Sequence, residues 1–201
     1  MILALSGSSI DGFAYTDVVD LARRSPGLLD DVVSTWSTYG LAVFAVLMAV
    51  AWWQARRVSA TAALTALAVP VIVVAAYGVD AVLKLVVREV RPCRSLRVTT
   101  LEACPAPGDW SFPSNHAAIA AASAVALWCV ARRLGAVAAL AACAMAVSRV
   151  WVGAHYPHDV AAGIVVGALV GLSTTVLLRR RPDALARWTT GTRLRPLLVA
   201  S

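Results

Sequence analysis

The chain is short of charge. Only 14% of its 201 residues are charged and 7% are aromatic, while 60% are hydrophobic. Soluble domains carry about 25% charged and about 45–50% apolar residues. A water-soluble chain of this length could not hide so much apolar surface, and disordered, collagen-like and coiled-coil readings fail on the same figures. Lysine is almost missing: of 18 basic residues, only Lys84 is not arginine. The net charge of +7 does not mark a nucleic-acid binder, because the arginines form short clusters between apolar runs rather than one continuous polar face. No basic leader precedes the short apolar stretch 1–10, so no cleaved signal peptide is expected there. The sequence shows no long-period repeat. Its outer loops hold no compact carboxylate cluster or Cys/His ligand set, so neither a metal nor another cofactor is expected.

What is present is a series of apolar stretches near bilayer length: 32–53, 61–79, 113–131, 134–152 and 160–178. Nineteen or so helical residues span roughly 30 Å of hydrocarbon. The mixed segment 16–31 reads as an amphipathic interfacial helix, and the N-terminus could add a short sixth span. The expected fold class is therefore all-α: a polytopic membrane bundle of five to six transmembrane helices plus an N-terminal interfacial helix. Residues 1–31 form the interfacial segment, 32–178 the transmembrane domain and 179–201 a basic cytoplasmic tail. Arg56 and Arg57, Arg132 and Arg133, and Arg179–Arg181 fall on one side of alternating spans, which the positive-inside rule makes cytoplasmic. All acidic residues except Asp183 then fall on the outer side. Gly163, Gly167 and Gly171 form a stripe suited to close helix contact, within the bundle or, less favoured, at a homodimer face. Pro70 is a candidate kink.

The remaining polar residues gather at helix ends that this topology puts on the outer face. In KLVVREVRP, Lys84, Arg88 and Arg91 would share one face of a continuing helix. Such a cluster suits an anion, although snorkelling to headgroups or pairing of Lys84 with Asp80 would also explain it. In PSNH, Pro113 and Ser114 open a helix whose free N–H groups favour phosphate, or simply cap it. His116, one turn into an apolar helix, is explained by neither capping nor lipid. In SRVWVGAHYPHD, Arg149 closes a span, and His155 and Asp159 stand four apart. A carboxylate beside an imidazole fixes its tautomer, leaving the other nitrogen free to attack. A lone His–Asp pair is more often a structural hydrogen bond, and His158 is read as structural or interfacial.

Taken together, Lys-x6-Arg-Pro, Pro-Ser-x-His and Ser-Arg-x5-His-x3-Asp resemble the phosphatidic-acid phosphatase type 2 superfamily of membrane lipid phosphatases, whose site is shared with vanadium haloperoxidases. The matched motifs cover 84–159, with Asn115 where the family usually has glycine. The resemblance implies a metal-independent phosphatase. His155 would be the nucleophile forming a phosphohistidine, Asp159 would orient it, and His116 would be the general acid. Lys84, Arg91, Ser114, Asn115 and Arg149 would hold the phosphate. The segment 16–44 is also similar to the undecaprenyl-diphosphate phosphatases associated with bacitracin resistance. Arg88, with Arg94 and Arg97, is a candidate contact for a second phosphate, which favours a diphosphate.

The expected substrate is a membrane-embedded polyprenyl diphosphate, converted to the monophosphate carrier at the outer face of a bacterial plasma membrane and serving cell-envelope (peptidoglycan) synthesis. Phosphatidic acid or phosphatidylglycerol phosphate is the nearest alternative, a prenyl-phosphoribose phosphate the third. A non-catalytic lipid-phosphate transporter or structural membrane protein is the alternative of another class. Cys93 and Cys104, both in the outer loop, are expected to pair in an oxidising exterior, contributing about 2–3 kcal/mol. Cys129 and Cys143 read as packing residues. The loop 93–112, with Trp110 and Phe112, reads as a membrane-surface anchor or, less favoured, a lid, and a gap between the helices carrying the second and third motifs is the expected lipid entrance.

Overall fold

A computed structural model describes residues 7–180. Most of the expected tail 179–201, Asp183 included, lies outside the described residues, as does the start of the stretch 1–10. Eight helices follow one another: α1 (Ser8–Arg23), α2 (Gly27–Tyr39), α3 (Leu41–Ala55), α4 (Ala60–Val87), α5 (Pro92–Ser95), α6 (Asn115–Val130), α7 (Arg132–Trp151) and α8 (Pro157–Arg179). Among the described residues there is no strand. Helices α4, α7 and α8 are long and apolar enough to cross a bilayer, α2 and α3 are so as a bent pair, and α6 is a shorter apolar helix. Large apolar side chains such as Val71, Val74, Leu140 and Leu169 are exposed along these helices. That surface suits lipid, where helices satisfy their own backbone polar groups. The chain is a helical membrane protein.

The first span is not the continuous helix that 32–53 suggests. It bends by 53° between α2 and α3. Gly40 marks the break: a Cβ there would meet the Trp36 carbonyl oxygen at 2.5 Å and the Met145 methyl at 2.9 Å. The missing side chain lets this corner sit directly on α7. The bend also places the start of α2 at Gly27, inside the segment expected to be interfacial, after the extended Pro26. The second span runs well past Val79, to Val87, because Asp80 and Lys84 are buried against the bundle rather than exposed at its rim.

Helix α6 is the centre of the bundle. Its alanines (Ala117, Ala118, Ala120, Ala122 and Ala126 among them) are buried, and such short side chains let neighbouring backbones approach. The glycine stripe of α8 faces it. A Cβ on Gly167 would lie 2.1 Å from the Ala118 carbonyl oxygen, and one on Gly163 would lie 2.5 Å from that of Ser114. The stripe therefore packs inside the bundle. It also closes the α6–α8 seam, so the lipid entrance expected there is not present between these two helices. The tight seam brings the first turns of α6 and α8 together with the last turns of α4 and α7.

Candidate functional site

The site lies where those four helix ends meet. Backbone bonds tie them: Ser114 N–H donates to the Asp159 carbonyl (3.0 Å), and the N–H groups of Ala154 and His155 donate to the Arg149 carbonyl (3.1 and 3.2 Å). The α7–α8 turn needs Gly153. Its φ of +81° is left-handed, and a Cβ would strike Thr100 at 2.3 Å. Its carbonyl accepts from the hydroxyl of buried Tyr15 on α1 (2.9 Å). This turn delivers His155 into the interior, where only 2% of its surface is exposed.

Arg91 determines the tautomer of His155. Its Nη1 lies 2.9 Å from His155 Nε2. A guanidinium can only donate, so Nε2 carries the lone pair and the ring proton sits on Nδ1. Nδ1 in turn lies 3.4 Å from Asp159 Oδ2. Burial holds the His155 pKa well below the usual 6.5, and the positive charges of Arg91, Lys84 and Arg149, with His116, push it the same way. The ring is thus neutral at physiological pH, with an unprotonated nitrogen among cations. The acid limb of kcat/KM should therefore fall below pH 6.5, and a pH–rate profile with an acid limb centred at 6.5 or above would contradict this.

Asp159 is fully buried at the third position of α8. Its Oδ2 accepts from Tyr156 N–H (2.9 Å) and, by a short bond, from the Ser111 hydroxyl. Lys84, in the last turn of α4, donates from Nζ to the carbonyls of Trp110 (2.8 Å) and Ser111 (3.3 Å). It does not pair with Asp80, whose buried carboxylate oxygens have no hydrogen-bond partner. Arg91 also donates to Ala154 O (2.9 Å) and pairs with Asp109 (2.9 Å). Arg149 donates to Ser37 of α2 and pairs with Glu102 (3.3 Å).

Several buried polar atoms have no protein partner. They include the Ser114 hydroxyl, Arg149 Nε and Asn115 Oδ1. The first two are donors, and a buried unsatisfied donor is costly unless something else accepts from it. A tetrahedral oxyanion is suited to that task. His116 lies in the first turn of α6, behind Ser114 and Asn115.

Arg88 stands apart. Helix α4 ends at Val87, and Arg88 caps it in the left-handed conformation (φ 50°), exposed, with Nε donating to Leu85 O (2.9 Å). The same-face relation with Lys84 and Arg91 needed a continuing helix, which the cap breaks. Cys93 and Cys104 are joined by a disulfide (Cα–Cα 6.0 Å). The Phe112 ring stacks on His158, with centroids 6.0 Å apart.

Sequence reasoning missed the loop's contribution. Glu102, Asp109 and Ser111 each touch a site residue, yet none carries a motif, and Ser37 lies far away in the chain. The carboxylate cluster thought absent also exists, because Asp11, Glu89 and Asp159 come from three distant segments to surround His158. One signal was legible: Glu89 is the sole acid in the basic run 84–91.

The sequence is similar to those of known proteins. Residues 60–183 match the model of the PAP2 superfamily. The chain is 30% identical over 148 residues to undecaprenyl-diphosphatase BcrC of Bacillus subtilis (strain 168), covering 72% of each chain. It is 34% identical over 97 residues to decaprenylphosphoryl-5-phosphoribose phosphatase of Mycobacterium tuberculosis (strain ATCC 25618 / H37Rv), covering 48% of this chain and 51% of the relative. It is 35% identical over 88 residues to an undecaprenyl-diphosphatase of Sulfolobus acidocaldarius, covering 43% and 42%. No solved structure matches.

Proposed function

The chain belongs to the PAP2 superfamily, its relatives support a lipid phosphatase, and from that premise we propose that it hydrolyses a polyprenyl diphosphate such as undecaprenyl diphosphate to the monophosphate. One observation carries the reading: a neutral imidazole, His155, with its Nδ1–H toward Asp159 and its Nε2 toward Arg91. In the proposed sequence, Nε2 attacks the terminal phosphorus in line. The N–P bond forms as the P–O bond to the lipid monophosphate breaks, and His116 protonates the departing oxygen. Asp159 stabilises the positive imidazole. Water, activated by the now neutral His116, then attacks the phosphohistidine and releases inorganic phosphate. Lys84, Arg91 and Arg149, with the Ser114 hydroxyl and the free N–H groups of the first turn of α6, hold the non-bridging oxygens. Each cation about 4 Å from a phosphate charge contributes roughly 4 kcal/mol at an effective dielectric near 20, before desolvation. Positioning and charge of this kind are the main means of catalysing phosphoryl transfer.

The prenyl tail is assigned to the apolar cleft of about 520 Å³ between α2 and α7, lined by Val33, Trp36, Ala144, Val147 and Trp151. Ser148, the chain neighbour of Arg149, also lines it. The basic clusters put this end of the bundle outside a bacterial plasma membrane, where a carrier lipid is recycled after export of envelope polymers.

The test is phosphate release by purified protein from undecaprenyl diphosphate, phosphatidylglycerol phosphate and a prenyl-phosphoribose phosphate, each with and without EDTA. Fastest release from the polyprenyl diphosphate, unchanged by chelator, is expected. Equal or faster release from phosphatidylglycerol phosphate would refute the substrate assignment. Ala144→Trp should lower kcat/KM for undecaprenyl diphosphate about tenfold, of the order of one lost apolar contact region, while sparing a short-chain diphosphate.

A further inference from the structure

Behind the pocket, His158 sits in a cage of carboxylates that phosphate chemistry does not use. Its Nδ1 lies 2.7 Å from Asp11 Oδ1, and its Nε2 lies 3.1 Å from both oxygens of Glu89 and 3.4 Å from Asp159 Oδ1. Its backbone N–H donates to Asp11 Oδ2 (2.7 Å). The ring is stacked between Phe112 and Tyr156. Asp11 reaches it because α1 breaks its helical geometry there (φ −143°, ψ 28°). The amino end of α1 is pressed against Glu89, and a Cβ on Gly7 would lie 2.0 Å from Glu89 Oε1.

Ionised carboxylates only accept hydrogen bonds, so a ring with acceptors at both nitrogens must carry a proton on each. Glu89 and Asp159 are both fully buried. Two buried carboxylates so placed cannot both stay ionised unless a cation lies between them. Lys84 does not serve, since its Nζ is bound to loop carbonyls. Arg91 is engaged with His155 and Asp109.

We propose that His158 is a positioning residue, held as an imidazolium by Asp11 and Glu89, whose charge keeps Asp159 ionised behind His155. The inference rests on the reading of His155 as nucleophile. The groups facing His158 and Asp159 are Asp11 from α1, Glu89 from the α4–α5 connection, Ser111 from the loop, and Tyr156 and His155 from the turn before α8. Lys84 acts on Asp159 through its field. Without the imidazolium, Asp159 would face buried Glu89 with no cation between them, and His155 would lose its orienting charge at a higher pH than in the wild type.

Two measurements decide it. The chain has three histidines, so ¹⁵N-histidine NMR of the detergent-solubilised wild type can be assigned with single variants. At pH 7.5 the ring of His158 should be doubly protonated in the substrate-free protein. In His158→Gln the acid limb of kcat should move up by about one pH unit, with kcat at neutral pH down about two- to fivefold and KM within about twofold. All three rings neutral in the wild type, or an unmoved acid limb in His158→Gln, would overturn the proposal. Should the variant not fold, the wild-type spectrum decides alone. Absence of phosphate release from every lipid would instead fell the parent reading on the wild type, before His158 is touched.

Discussion

His155→Ala is expected to lower phosphate release from undecaprenyl diphosphate by about 10³-fold or more while the protein still folds. Removing the nucleophile from a covalent mechanism eliminates the intermediate and leaves only what binding and charge can achieve. The neighbours of His155 predict that the fold survives. Its backbone N–H is bound to the Arg149 carbonyl whatever the side chain, and Arg91 keeps Ala154 O and Asp109 as partners. Brief reaction with a terminally ³²P-labelled lipid diphosphate and a rapid alkaline quench should label the wild type with an acid-labile, base-stable phosphate, and leave His155→Ala unlabelled. His116→Ala should also fall steeply in turnover, since both the departing lipid oxygen and the attacking water depend on it. Wild-type rates in both variants would refute these two roles, and absence of release by the wild type itself would favour a non-catalytic membrane protein that binds lipid phosphates.

The second large effect is on assembly of the bundle. Gly167→Val should prevent isolation of monodisperse protein. Even a Cβ at that position would lie 2.1 Å from a backbone oxygen of α6, an atom that cannot rotate away. Overpacking in a close-packed interior costs about 1–3 kcal/mol and more where backbone must move. At Gly171 the nearest atom, the Ala122 carbonyl oxygen, would be 3.2 Å away, so Gly171→Ala should melt within a few degrees of wild type. Size-exclusion profiles and thermal melts in detergent read both variants. Equal tolerance of both would mean that α6 and α8 are not packed as described.

The helices were legible because membrane spans announce themselves by apolar length, and α4, α7 and α8 stand close to where hydropathy put them. Their ends were not. Val79 looked like an exit because Asp80 and Lys84 follow it, yet both are buried in the continuing helix. Gly40 gave no sign that it would break a span, since its role is contact with Met145, a residue more than a hundred positions away. Within the site, the motif residues at helix ends could be read because spacing along a helix fixes a face. Lys84, Arg91, Ser114, Arg149, His155 and Asp159 are tied together by the bonds described. Arg88 failed on the same logic, as the spacing argument expires where the helix does. The loop groups Glu102, Asp109 and Ser111 follow no periodicity. Only the tertiary fold brings them to the cations, and no local pattern encodes that.

The hydrogen bond from Arg91 to His155 has a bearing on selectivity. The lone pair that would attack is covered by a guanidinium proton. An incoming dianion can turn that guanidinium toward its own oxygens; an uncharged headgroup cannot. Recognition and unmasking would then be a single event, so a neutral lipid drifting into the cleft would meet an imidazole with its reactive electrons already spoken for.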